Sequence, residues 1–161
     1  MTGQSDRDFR ARIEIKQVLE NYFHALDACD GELLGSVFAP DCEVRYHVGT
    51  PGEFVQNGHP GVVGYLVKNM GNYRVRSHAT SNTRVTLNGV DSAKTVTHAI
   101  AILWKADKVH VRGLRYEDEF TLADGEWRIV KRRHSPLWQF DADPATPVVP
   151  KPALELARSQ A

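Results

Sequence analysis

Asp27, Tyr22, His78, His98 and Arg132 are the side chains of this 161-residue chain whose types and surroundings point to proton chemistry. Asp27 lies near the end of an amphipathic run whose apolar stripe is Ile15, Val18, Leu19, Tyr22, Phe23 and Leu26. At 100° per residue it sits about 40° beyond Phe23, so its carboxylate stands at the rim of the buried face. Tyr22 brings a hydroxyl to the same region. An acid near a helix C-terminus is electrostatically unfavourable and asks for a partner. His78 lies on a β-forming run and shares its face with Arg76, Thr80 and Asn82. His98 lies among large apolar neighbours, sharing a strand face with Val96, Ile100, Ile102 and Trp104, while Thr95, Thr97, Ala99, Ala101 and Leu103 share the other. Arg132 shares a strand face with Arg128, Val130 and His134. Each residue taken singly has a plainer reading: His98 as a hydrogen-bonded core histidine, Tyr22 as core, Asp27 as a local cap, Arg132 as the partner of Asp118 or Glu117 across the last hairpin.

The elements that must position these groups are legible in the pattern. Ser5 with Asp8 opens the first helix, which ends at Asp30-Gly31. Glu32 to Phe38 is a short second helix stopped by Ala39-Pro40-Asp41, and Cys42 to Val48 alternates as a half-buried strand. Gly49 to Gly58 reads as an exposed loop, after which Asn57 or Gly58 caps a third helix with Pro60 in its first turn. Strands follow at Val75 to Leu87, Ala93 to Lys105, Val109 to Leu122 and Glu126 to Gln139, with hairpin signals at Asn88-Gly89 and Asp124-Gly125. Helices first and long consecutive strands afterwards predict an α+β fold: a cone-shaped barrel in which N-terminal helices pack on a strongly curved, mostly antiparallel sheet. The domain is expected over residues 1–140. Residues 141–161, with Pro144, Pro147, Pro150 and Pro152, form a tail that adds no central strand.

Composition narrows the partners. Lys plus Arg and Asp plus Glu number 20 each, with no block of like charge, which removes the electrostatic footprint of a nucleic-acid or anionic-membrane binder. A small apolar molecule is the expected partner. His24, His47, His59, His110 and His134 show no metal-ligand spacing, so neither a metal nor another cofactor is expected. Cys29 and Cys42 form no CxxC pair, and MTGQSDRDFR lacks the apolar run of a signal peptide, which predicts a reduced, cytoplasmic protein. The outer face of a wide curved sheet needs covering, so a homo-oligomer is expected, a trimer or a dimer.

The order of elements, the segment YFHALDACDGELLGSVFAPDCEV, the segment RSHATSN and the ending RYEDEFTLADGEWRIVKRRH together resemble the SnoaL-like branch of the nuclear-transport-factor-like superfamily. The group holding scytalone dehydratase, bile acid 7α-dehydratase and hexachlorocyclohexane dehydrochlorinase is nearest in look. The resemblance spans about residues 8–140 and implies a cofactor-independent lyase in which Asp27 orients His78 as general base. It also implies pocket roles for Tyr22 and Arg132, for His98 as a second histidine, and for Tyr46, with His47 as the competing match. Such a base contributes about 10² to 10⁴ in rate, so hydrogen-bond donors in a dry cavity must supply more. Tyr22, His98 and Arg132 are the candidates, and Tyr46, Val96, Trp104, Tyr116 and Phe120 are the expected substrate-lining residues. Isomerisation or cyclisation by the same proton abstraction, and ligand binding without catalysis, remain as alternatives.

Overall fold

The computed structural model describes residues 2–144. The elements run α1 (Thr2–Ala28), α2 (Gly31–Val37), β1 (Phe38–Tyr46), β2 (Phe54–Asn57), α3 (His59–Met70), β3 (Val75–Leu87), β4 (Ser92–Lys105), β5 (Lys108–Ala123) and β6 (Glu126–Ala142). Ile15, Leu19, Tyr22, Phe23 and Leu26 of α1 are buried, and Ala11 extends the stripe by a turn. The helix starts at Thr2 rather than near Ser5, since no proline interrupts that segment. It ends where Cys29 takes a φ of 54° and the Asp30 N–H donates to Ala25 O at 2.9 Å. Asp30 then caps α2 by accepting from Leu33 N at 2.9 Å.

Six strands form one sheet in the order β2-β1-β6-β5-β4-β3, antiparallel except for the parallel β1–β6 pair. The expected α+β architecture holds, with two corrections early in the chain. Strand β1 begins at Phe38, not Cys42, and runs through Pro40; its register against β6 shifts between Phe38 and Glu43, so the proline occupies a stretch where no ladder N–H is required. The segment read as exposed loop contains β2, which pairs with β1 from Tyr46↔Phe54 to Glu43↔Asn57. Phe54 stacks on Tyr46 with centroids 5.1 Å apart, an apolar reward that turns the chain back onto the sheet.

The third correction concerns which sheet face is inside. In β4 the buried row is Thr95, Thr97, Ala99, Ala101 and Leu103, while Ile100 and Ile102 are exposed. The expectation that the larger Val96, His98 and Trp104 row would line the cone is therefore reversed. Helices covering a sheet approach closely only over small side chains, so the bulkier row points outward. Bulges set the phase elsewhere. An extra residue in β3 between Thr80 and Thr83 keeps His78, Thr83 and Val85 on the inner face, and Val130 is bulged out of β6 so that Ile129 and Arg132 share that face. Strict alternation, which placed Arg132 opposite Ile129, fails at this point. Of the expected tail, Asp141 and Ala142 belong to β6, and residues 145–161 lie outside the described residues.

Candidate active site

Asp27 on the last turn of α1 faces His78 on β3, because α1 lies across the inner face of the sheet. Asp27 Oδ1 is 2.6 Å from His78 Nδ1, and Oδ2 accepts from the His78 backbone N–H at 3.0 Å. Two bonds to one residue fix the carboxylate and leave Nε2 as the free ring nitrogen. Arg76, two residues before, donates through Nε to the Asp27 carbonyl at 2.8 Å and so neutralises the helix C-terminus. Burial pushes the Asp27 carboxyl up. The hydrogen bonds from the His78 ring and backbone, with the nearby charges of His78 and Arg76, outweigh it and hold the group below the usual carboxylate value.

His78 opens onto a cavity of about 50 Å³ that is also lined by Tyr22, Tyr46, Tyr65, Asn69, Arg112, Leu114, Tyr116 and His134, among others. The space exists because β4 contributes only Ala101 between His78 and Arg112, its partners on β3 and β5. Burial raises the pKa of the Tyr22, Tyr46 and Tyr116 phenols, so these groups are donors and not bases. The Tyr46 hydroxyl is buried without a protein partner. A phenol in that condition is a standing donor for a ligand. His134 is pushed down to about 3, by burial first and then by the charges of His47, Arg132, Arg112 and His78. Its Nδ1 accepts from the His47 backbone N–H at 3.4 Å, which places the ring proton on Nε2. His47 is likewise held below its ordinary value, by burial and then by Arg112.

The remaining expected site residues lie elsewhere. Arg132 is fully buried and paired bidentately with Asp118, Nε to Oδ1 at 2.6 Å and Nη2 to Oδ2 at 2.8 Å. Its guanidinium sits 3.9 Å from the Tyr22 ring centroid, so it backs the cavity wall and does not line the cavity. This is the plainer reading of Arg132, and it follows from the Val130 bulge. Phe120 is buried core beyond the cavity. His98 and Val96 line a separate open groove with Lys16, Glu20, Arg84 and Arg115. Trp104 lies on the outer face, its Nε1 donating to Ala106 O at 2.9 Å and its ring under Arg74. Arg112, His134, Tyr65 and Asn69 were missed as cavity residues. His134 shares the inner face with Arg132, a pairing the strand pattern contained; the α3 residues Tyr65 and Asn69 carried no local signal.

Residues 7–133 match the SnoaL-like domain family. The chain belongs to that family. It is 29% identical over 132 residues to the uncharacterized protein Rv2910c of Mycobacterium tuberculosis H37Rv, an alignment covering 80% of this chain and 86% of the relative. Mb2934c of Mycobacterium bovis matches to the same extent. Among solved structures, hexachlorocyclohexane dehydrochlorinase LinA-type3 from Novosphingobium barchaimii LL02 superposes with a TM-score of 0.78 at 17% identity, covering 91% of this chain and 99% of that one. A protein provisionally called a scytalone dehydratase, from Novosphingobium aromaticivorans, gives 0.77 at 23% identity over 92% and 99% of the two chains. An NTF2-like protein with a cystatin-like fold from the same species gives 0.70 at 21% identity over 83% and 86%. These likenesses establish the fold of this SnoaL-like protein as that of the cone-shaped NTF2-like group.

Proposed function

We propose that this SnoaL-like protein is a cofactor-independent lyase acting on a ring-containing small molecule, with Asp27 and His78 as its proton-transfer pair. The observation that carries the reading is the doubly bonded Asp27–His78 pair with Nε2 facing a cavity walled by protonated phenols. The free Nε2 takes a proton from a carbon next to an activating carbonyl or ring. The released electron pair forms the new double bond, and the leaving group departs; when it is hydroxide, the imidazolium returns its proton and water is lost. Asp27 holds the tautomer and stabilises the imidazolium, while Tyr46 donates to the oxygen on which charge develops. The names of the structural neighbours, a dehydrochlorinase and a dehydratase, fit the same elimination class.

The cavity is smaller than the roughly 150 Å³ that takes up benzene, so it admits the reacting end of a substrate while the ring system extends outward. Isomerisation uses the same base without a leaving group and is distinguished by product. The test incubates the protein with γ-hexachlorocyclohexane and with β-hydroxy ketones on one- and two-ring scaffolds, following chloride or water loss and, in D₂O, exchange of the acidic C–H. Elimination that disappears in His78→Ala supports the proposal. Full activity in that variant, or the absence of both exchange and elimination across the panel, favours a ligand-binding module instead.

A further inference from the structure

We infer that Arg112 is an anion subsite and that the substrate carries a carboxylate or comparable anionic group beside its reacting carbon. The inference deepens the lyase proposal and rests on it only for the placement of that carbon. Arg112 lines both the inner cavity and an adjoining groove of about 360 Å³ formed with His47, Thr50, Leu114, His134, Pro136, Trp138 and Gln139. It stands at the junction of the two spaces, which share His47, Leu114 and His134 as well. Other basic side chains on the inner sheet face have partners: Arg132 has Asp118, Arg76 has the carbonyls of Asp27 and Tyr73, and the His110 ring has Asp141 at 2.6 Å. Among the described residues Arg112 makes no ion pair and no carboxylate lines either space.

A guanidinium cannot shed its charge, and in a half-buried site it interacts strongly with any anion that reaches it. The histidines beside it supply no counter-charge, and burial above all holds both His47 and His134 below the ordinary histidine value. The register adds a distance. His78 pairs with Ala101, and Ala101 with Arg112, so the base and the guanidinium flank one methyl group on a single row of the sheet. Two strand spacings separate their Cα atoms, about 10 Å, and both side chains project onto the same face. A molecule holding its anion on Arg112 thus presents a carbon a few bonds away to Nε2, and its apolar body lies in the groove against Leu114, Pro136 and Leu137. Substrate charge here would both orient the molecule and reject neutral analogues, which would leave the guanidinium desolvated and unpaired.

The experiment compares benzoate with its neutral isostere benzamide by titration calorimetry on the full chain. Wild type is expected to bind benzoate at least about 10-fold more tightly, in line with a bidentate charge-assisted pair. Arg112→Gln should bring the two ligands to within about 2-fold, and Arg112→Lys should keep part of the preference. If Arg112→Gln does not fold, the wild-type Arg112 Nε–H resonance reports the same contact, a downfield shift on adding benzoate supporting the subsite. Equal binding of the two ligands by wild type, a benzoate preference that survives in folded Arg112→Gln, or an unmoved Arg112 resonance overturns the inference. The readout is independent of turnover: a benzoate preference retained in His78→Ala upholds the subsite even where the elimination tests fail.

Discussion

Asp27→Asn separates a positioning carboxylate from a merely structural one. Both oxygens of Asp27 are engaged by His78, Oδ1 with the ring at 2.6 Å and Oδ2 with the backbone N–H at 3.0 Å. Asparagine offers one oxygen and one NH₂, so it can serve only one of these donors. If its oxygen keeps the backbone N–H, the NH₂ faces Nδ1 and drives the ring to the tautomer protonated on Nε2, which no longer accepts a proton from substrate. If its oxygen keeps the ring, two donors confront each other at the backbone. The first outcome removes the general-base contribution, about 10² to 10⁴ in rate. Charge-assisted hydrogen bonds are worth about 1.5–3 kcal/mol each. The Asp27 side chain is 30% exposed, so the stability loss is expected near the lower end, about 1–2 kcal/mol. Long-range ¹H–¹⁵N correlation of the His78 ring reads the tautomer, urea denaturation the stability, and the D₂O exchange assay the rate. A swapped tautomer with undiminished exchange would refute the assignment of Nε2 as the base. Loss of the folded state in Asp27→Asn, seen as an unfolded signal before urea is added, would make Asp27 structural.

Acid should destabilise the protein through His134. An unfolded histidine binds its proton near 6.5 and the folded one near 3, so the unfolded state holds more protons between those values. Stability is then full above about 6.5 and falls as pH drops toward 3, by up to about 1.4 kcal/mol per unit for this group. Asp27, held low, adds its own loss only below the ordinary carboxylate range. Urea titrations from pH 7 to 4.5 should show a shallower slope in His134→Gln, and an unchanged slope would contradict this origin. We also propose that the outer sheet face packs on further copies of the chain, as a trimer or a dimer. Across that face Ile100, Gly113 and Trp138 form one row and Ile102, Val111 and Phe140 the next, with Ile100, Ile102, Trp138 and Phe140 exposed. Light scattering should report an oligomer that Ile102→Glu with Phe140→Glu dissociates, and a monomeric wild type would end the idea.

Local chemistry wrote much of this protein directly into its sequence. The stripe from Ile15 to Leu26 determined which side of α1 is buried, and Asp124-Gly125 determined a hairpin, with φ values of 54° and 80°. Asp27 was legible as an acid at the rim of a buried face because helical geometry is periodic and local. Tertiary structure decided the rest, for reasons that no local pattern holds. Alternation in β4 separates two apolar rows, and only the close approach of the helices selects the Thr95-to-Leu103 row as the inner one, sending His98 and Trp104 outside. A single bulged residue at Val130 moves Arg132 onto Asp118, and the one after Thr80 sets the phase of β3. The meeting of Asp27 with His78 is likewise a property of packing. Helix periodicity could aim the carboxylate, but only a sheet curved under α1 brings an imidazole from 51 residues away to within 2.6 Å of it.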